Sequence, residues 1–214
     1  MNIGWFTPAL AAHVPRLAAA YGIECRVDAG DRVALTFDDG PHPEGTPAVL
    51  DQLARYGASA TFFLVGEQVE QRPALARAIV DAGHEVALHG HRHTLLLRRR
   101  VRELSDDLDR AVALIAEATG AVPTLYRPPY GVFSSGGLQH VRARGLRPLL
   151  WSTWGRDWER RATGGLRPGD VVLLHDSDAY SSDDSWRRTA DALPSMLEAV
   201  AALGLAACSV THST

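Results

Sequence analysis

Asp38 and Asp39 stand side by side in the run TFDDGP, residues 36–41, directly after an apolar stretch. Adjacent carboxylates at a strand end point in different directions, so one can bind a metal ion while its neighbour stays free as a base. Solvation of an Asp-Gly-Pro turn is the plainer alternative. Histidine is the second signal: four of the nine histidines lie between positions 84 and 93. His89 and His93 have His-x-x-x-His spacing, which on a helical turn puts two imidazoles on one face about 6 Å apart, suited to two ligands of one ion. Two histidines and a carboxylate form an open three-ligand set, the catalytic rather than the closed structural arrangement. His91 points elsewhere on such a turn and is assigned to the pocket lining or to support of the ligands. Arg127 follows another apolar run and precedes two prolines that stiffen its backbone. Asp157 reads equally well as a helix cap, and His175 as a core histidine leaving the run VVLL.

The elements that must position these side chains are short apolar runs alternating with helical patterns. Strands are expected at Arg32–Phe37, Ala60–Leu64, Glu85–Leu88, Thr124–Arg127, Pro148–Ser152, Val171–Leu174 and Leu205–Val210. Helices are expected at Pro47–Tyr56, Pro73–Ala82, Val101–Thr119, Gly137–Arg144 and Trp186–Leu203. Val101, Leu104, Leu108, Val112 and Ile115 recur at three-to-four spacing and mark one helix face. Pro47 and Pro73 suit helix starts, and Gly57, Gly83, Gly120, Gly145 and Gly204 suit helix ends. This alternation implies a parallel α/β sheet, either a barrel or a doubly wound open sheet. TFDDGP, HGHRH, RPPYG, STWGRDW and HDSD each follow an expected strand. In parallel α/β folds the loops at the carboxyl ends of the strands converge on one face, so these clusters predict one shared pocket.

Composition narrows the chemistry. The 214 residues, 46% apolar and 22% charged, suffice for one domain with a full core. A net charge of −3 lacks the basic balance of a nucleic-acid binder. All 22 basic residues are arginine, which excludes Schiff-base lysines, lysine general bases and the P-loop lysine. No apolar run is long enough to predict a membrane-spanning helix. The first 22 residues lack a basic start and are interrupted by Pro8, His13, Pro15 and Arg16, so they do not read as a signal peptide. With Met1 as the natural start, a cytoplasmic location is expected; a trimmed start leaves an extracellular one open. Cys25 and Cys208 are read as unpaired small thiols. Arg98–Arg100 reads as solvated surface, and the acidic stretch Asp176–Asp184 as a solvated loop in preference to a lid. Trp151, Trp154, Trp158 and Tyr130 fall near the pocket; the plainer reading puts Trp151 in the strand core and leaves only one or two of them exposed.

Together the five clusters resemble the motifs of the polysaccharide deacetylases, carbohydrate esterase family 4 with NodB homology, from about Arg32 to His175. The resemblance implies a single-domain distorted (β/α) barrel of about seven parallel strands, irregular or incompletely closed. Residues 1–214 would form one catalytic domain, with 1–31 a helical extension packed on a motif core at 32–175. Asp38 would be the base, and Asp39, His89 and His93 the ligands of one divalent ion, Zn2+ ahead of Co2+ or Ni2+. Arg127 would orient the base, the Tyr130 N–H would help form an oxyanion hole, and Asp157 would pair with Arg127 or with the acid. His175 would be that general acid, Leu173 would line the acetyl-methyl pocket, and Pro129 and Trp154 would contact substrate. The implied activity is removal of N-acetyl groups from N-acetylglucosamine-type poly- or oligosaccharides. An amidase or cyclic-imide hydrolase for a small metabolite, using the same site, is the alternative. A non-catalytic saccharide-binding module ranks last, because binding alone needs no base and acid. Neither a nucleic acid nor a membrane is an expected partner. Three departures stand out: Gly90 replaces the family's usual Ser or Thr, Trp154 stands where an Asp is frequent, and the stretch between Asp157 and Asp170 is short for the family, which implies a lost or abbreviated helix near the site.

Overall fold

The structure, a computed structural model, describes residues 7–28, 30–95, 97, 101–154 and 165–211. Its centre is strand β1 (Arg32–Asp38), buried along its whole length after the first residue. Burial on both faces is why its sequence reads as an apolar run rather than an alternation. On one side β1 pairs with β2 (Thr61–Leu64), followed by β3 (Glu85–Leu88), β4 (Leu125–Tyr126) and β5 (Arg147–Pro148). On the other it pairs with β7 (Val171–His175), which carries β6 (Thr153–Trp154). A short strand β8 (Ala206–Cys208) lies against the first residues of β1, Arg32–Ala34. Every ladder is parallel, so the strand ends share one rim, and the sheet curls into the incompletely closed half-barrel expected from the sequence.

Around the sheet run α1 (Pro15–Ala20), α2 (Gly45–Arg55), α3 (Gly66–Gln71), α4 (Pro73–Asp81), α5 (Val101–Thr119), α6 (Ser135–Ala143) and α7 (Ser185–Ala202). Val33, Leu35 and Phe37 of β1 face the helices in the main core, with Leu53, Ile79, Leu108, Ile115 and Leu197. A smaller core fills the other face: Ala34, Phe63, Ala87, Leu125, Leu149, Val171 and Val210. Along α5 the expected stripe is inside at Leu104, Leu108 and Ile115, with Val112 half-buried.

Three expectations need correction. The run Pro148–Ser152 is not one strand: it supplies the end of β5, then crosses to β6, which begins only at Thr153. Thr124–Arg127 shortens to Leu125–Tyr126, and α3 had no counterpart in the expected elements. Among the described residues no ladder joins β5 to β6. The N-terminal segment occupies that seam instead. Glu24 bridges to Leu149 and Arg26 to Asp170, with Glu24 N–H donating to Pro148 O at 3.0 Å and Val27 N–H to Gly169 O at 2.9 Å. Arg26 and Asp170 also form an ion pair. Cys25 and Cys208 are both unpaired, as expected. No helix among the described residues is long and apolar enough to cross a membrane. Arg98–Arg100 lie outside the described residues.

Candidate active site

The rim where β1, β3, β4 and β7 end collects the polar clusters. Asp38 closes β1 in register with His175, the last residue of β7. Asp39 then takes a left-handed backbone conformation, φ 81°, a conformation uncommon outside glycine and enriched at functional sites. That turn separates the two buried carboxylates. Asp38 Oδ1 accepts from Arg127 Nη1 at 2.6 Å, while Asp39 Oδ1 faces His89 Nε2 at 3.4 Å and His93 Nε2 at 3.3 Å.

The two histidines do not share a helical turn, as their spacing suggested. They sit in an irregular loop after β3, with ring centroids 5.4 Å apart. Within that loop Gly90 takes φ 90°, a backbone conformation that glycine adopts without the steric cost of a side chain. The unexpected helix α3 holds the loop: Gly66 N–H donates to Gly90 O and Glu67 N–H to His91 O, both at 2.9 Å. One residue earlier, Val65 N–H donates to Gly40 O at 3.0 Å, tying in the aspartate loop. His91 turns away from the carboxylates and buries its ring against Gly66, where an added Cβ would meet His91 Nδ1 at 2.6 Å. Its backbone N–H donates to Asp107 Oδ2 at 2.7 Å, so its part is support of the loop.

This donor set fits a divalent cation. The ligand atoms of Asp39, His89 and His93 lie within 4.8 Å of one another. Asp39 Oδ1 is buried and has no hydrogen-bond partner among the described residues, which is costly unless a cation fills the space. His89 Nδ1 lies 2.8 Å from the Arg127 carbonyl; as donor there it leaves the Nε2 lone pair facing Asp39. Burial holds His93 below its ordinary pKa despite the opposing Asp39 charge, favouring the neutral ring a ligand must be. Burial raises the Asp39 carboxyl, but close approach of His89 and the fields of His175 and His93 outweigh it, leaving a net lowering.

Arg127 is the centre of the second constellation. Fully buried, its guanidinium lies 4.1 Å from the Phe63 ring centroid and donates to Asp38, to Thr36 Oγ1 at 2.9 Å and to Leu150 O at 2.9 Å. Tyr130, φ 63°, lies in the tight turn Pro129–Gly131; Pro129 is buried and the Tyr130 ring 59% exposed. Leu173 is buried next to Trp154 in the β6–β7 ladder, and the Trp154 ring is 44% exposed. Both open aromatic rings are therefore accessible from solvent. Asp176, just beyond His175, is fully buried, accepts from Thr46 Oγ1, and has its pKa raised to about 7, by burial first and by the Asp39 charge as well. Asp157 and Trp158 lie outside the described residues.

One residue in contact with the histidines was not singled out from the sequence. Tyr180, from the acidic stretch after β7, stacks flat on His93, with centroids 4.3 Å apart and planes 12° apart. Burial and the neighbouring Glu67 push its phenol above the ordinary value, so it stays a neutral donor. A lone tyrosine in DSDAYSSDD carries no spacing signal, since its contacts depend on where the loop folds back.

Comparison with known proteins places this geometry. The sequence profile of the polysaccharide deacetylase family matches residues 26–149, more than half of the chain. This chain belongs to the polysaccharide deacetylase family. A chitooligosaccharide deacetylase of Bradyrhizobium sp. (strain ANU 289) is 37% identical to it over 183 residues, 77% of this chain and 84% of that protein. The peptidoglycan-N-acetylglucosamine deacetylase PgdA of Listeria monocytogenes is 36% identical over 153 residues, 68% of this chain but only 32% of its own length. The family member described here thus spans about a third of that relative. Among solved structures, the peptidoglycan N-acetylglucosamine deacetylase Bc1960 matches with a TM-score of 0.83 at 26% identity, covering 92% of this chain and 94% of that one. The matched span, residues 26–149, runs across Asp38, Asp39, His89, His93, Arg127 and Tyr130; Leu173 and His175 lie beyond it, on β7.

Proposed function

We propose that this polysaccharide deacetylase-family chain is a divalent-metal-dependent hydrolase that removes N-acetyl groups from N-acetylglucosamine-type oligo- or polysaccharides. The observation that carries the reading is the pairing of two sites at one rim: an Asp39–His89–His93 donor set, and a separate carboxylate, Asp38, fixed by Arg127 with its other oxygen 3.8 Å from His89 Nε2. The names of the relatives support the saccharide substrate class. When bound, a divalent ion, with Zn2+ the first choice for this donor set, would polarise the acetyl carbonyl and acidify a water molecule. Asp38 accepts the proton of that attacking water, which requires its position beside the ligands and its fixed rotamer. The Tyr130 N–H, in its left-handed turn, serves the developing oxyanion, a contribution of about 3 kcal/mol for such a donor. His175, on the strand next to Asp38, delivers a proton to the departing amine, and Asp157 assists as its partner or Arg127's. Leu173 takes the acetyl methyl group, while Pro129 and Trp154 line the approach of the sugar. Water is consumed, the C–N bond breaks, and acetate and a free amino sugar leave.

The direct test is acetate release from N-acetylglucosamine oligomers of increasing length, with and without added Zn2+ or Co2+. Metal-dependent release that rises with oligomer length is expected. No release from any oligomer, despite one bound metal per chain, would shift the substrate to a small amide or cyclic imide. The double variant His89→Ala/His93→Ala is expected to lose stoichiometric metal and all turnover; a fully metallated double variant would refute the ligand set.

A further inference from the structure

We propose that Tyr180 is the positioning residue that fixes the orientation of His93, and through it the affinity of the metal centre. The inference builds on the metal reading above and concerns how the second imidazole is held. His89 is held by its contact with the Arg127 carbonyl at 2.8 Å. His93 has no equivalent: its Nδ1 is buried and lacks a hydrogen-bond partner among the described residues. Rotation about χ2 of histidine is soft, and such a rotation would swing Nε2 away from its 3.3 Å approach to Asp39 Oδ1. Ring packing supplies the restraint. Tyr180 covers one face of His93 at 4.3 Å, and Tyr130 meets the ring edge-on, 4.7 Å away at 63°.

Of the two tyrosines, Tyr180 is the one whose hydroxyl is anchored among the described residues: it donates to Glu67 Oε1 at 2.6 Å and accepts from Gln68 Nε2 at 3.1 Å. Glu67 and Gln68 belong to α3, whose first amides hold the loop that carries His93. The stacked ring and the ligand beneath it are therefore tied to the same turn of helix. The segment bearing Tyr180 is fastened as well. Asp178 pairs with His42 Nε2 at 3.1 Å and accepts from Asp184 N–H at 2.7 Å. His42 Nδ1 in turn accepts from Gly45 N–H at 2.9 Å, linking that pair to the start of α2. The acidic stretch after β7 thus builds a fixed wall of the site.

The test is the Zn2+ affinity of metal-stripped protein, measured by competition with a chromogenic chelator. Wild type, Tyr180→Ala, Tyr180→Phe and Glu67→Ala are compared, with circular dichroism and thermal melting to confirm folding. Tyr180→Ala is expected to weaken Zn2+ binding about 10–100-fold, the effect typical of losing a group that orients a ligand. Both Tyr180→Phe and Glu67→Ala keep the stacked ring and weaken its anchor, Phe losing the contacts to Glu67 and Gln68 and Glu67→Ala only the first, so both should fall between wild type and Tyr180→Ala, with Glu67→Ala nearer to wild type. Co2+-loaded Tyr180→Ala should also show shifted visible absorption bands, which a general loss of stability would not produce. If Tyr180→Ala does not fold, Tyr180→Leu replaces it with the same expectation. Wild-type affinity in a folded Ala or Leu variant overturns the inference and leaves the metal reading standing. Wild-type protein that takes up no Zn2+ overturns both.

Discussion

Asp38→Asn is expected to lower kcat by about 10²–10⁴-fold, the contribution of a positioned general base, while metal affinity stays within a few-fold of wild type. Asparagine is nearly the same shape, and its Oδ1 can still accept the Arg127 hydrogen bond that now spans 2.6 Å. What it lacks is basicity. The metal set contains the neighbouring Asp39, whose Oδ1 faces His89 Nε2 and His93 Nε2, whereas Asp38 Oδ1 is held by Arg127. The two adjacent acids should therefore separate cleanly in experiment. Asp39→Asn should lose metal and turnover together, and Asp38→Asn turnover alone. The readouts are metal content per chain and steady-state acetate release. A fully metallated Asp38→Asn protein that turns over within tenfold of wild type would remove Asp38 from the base role.

The meeting of the two acids with His89 and His93 at one rim was legible in the sequence because a parallel strand delivers its last residues to a fixed edge. β3 at Glu85–Leu88 and α5 at Val101–Thr119 follow their expected bounds, and β1 extends by only one residue. Runs buried on both faces and a long amphipathic stripe leave little ambiguity in those elements. Where the expectations failed, the deciding information was the neighbour rather than the run. Pro148–Ser152 is apolar enough for one strand, yet β5 pairs with β4 and β6 with β7, and the chain between them crosses a seam bridged by Glu24. Six residues, Gly66–Gln71, are too few to show a helical period, and Pro73 draws attention to the next helix instead. The histidine pair was legible by spacing, but its backbone was not: a loop through Gly90 brings the rings as close as a helical turn would. Thr36, which bonds Arg127, and Tyr180, which covers His93, became visible only once the rim was assembled.

Arg127→Met is the substitution expected to cost most in stability. Methionine keeps much of the volume above Phe63, but it removes three donated hydrogen bonds at once, to Asp38, Thr36 and Leu150. The serious loss is the charge. Asp38 is buried beside the rim, and removing one member of a buried ion pair typically costs about 3–5 kcal/mol because the other charge stays behind. For a chain of this size that corresponds to a fall in Tm of about 6–20 °C. Turnover should disappear too, since the proposed base loses the contact that fixes its rotamer. A second substitution separates charge from packing. In Arg127→Met/Asp38→Asn the stranded carboxylate is gone, so much of the lost stability should return although activity does not. Thermal and denaturant unfolding of the four proteins gives the coupling energy directly. A cost below about 1 kcal/mol for Arg127→Met, or no recovery in the double variant, would mean that packing, and not the Asp38 charge, is what Arg127 serves.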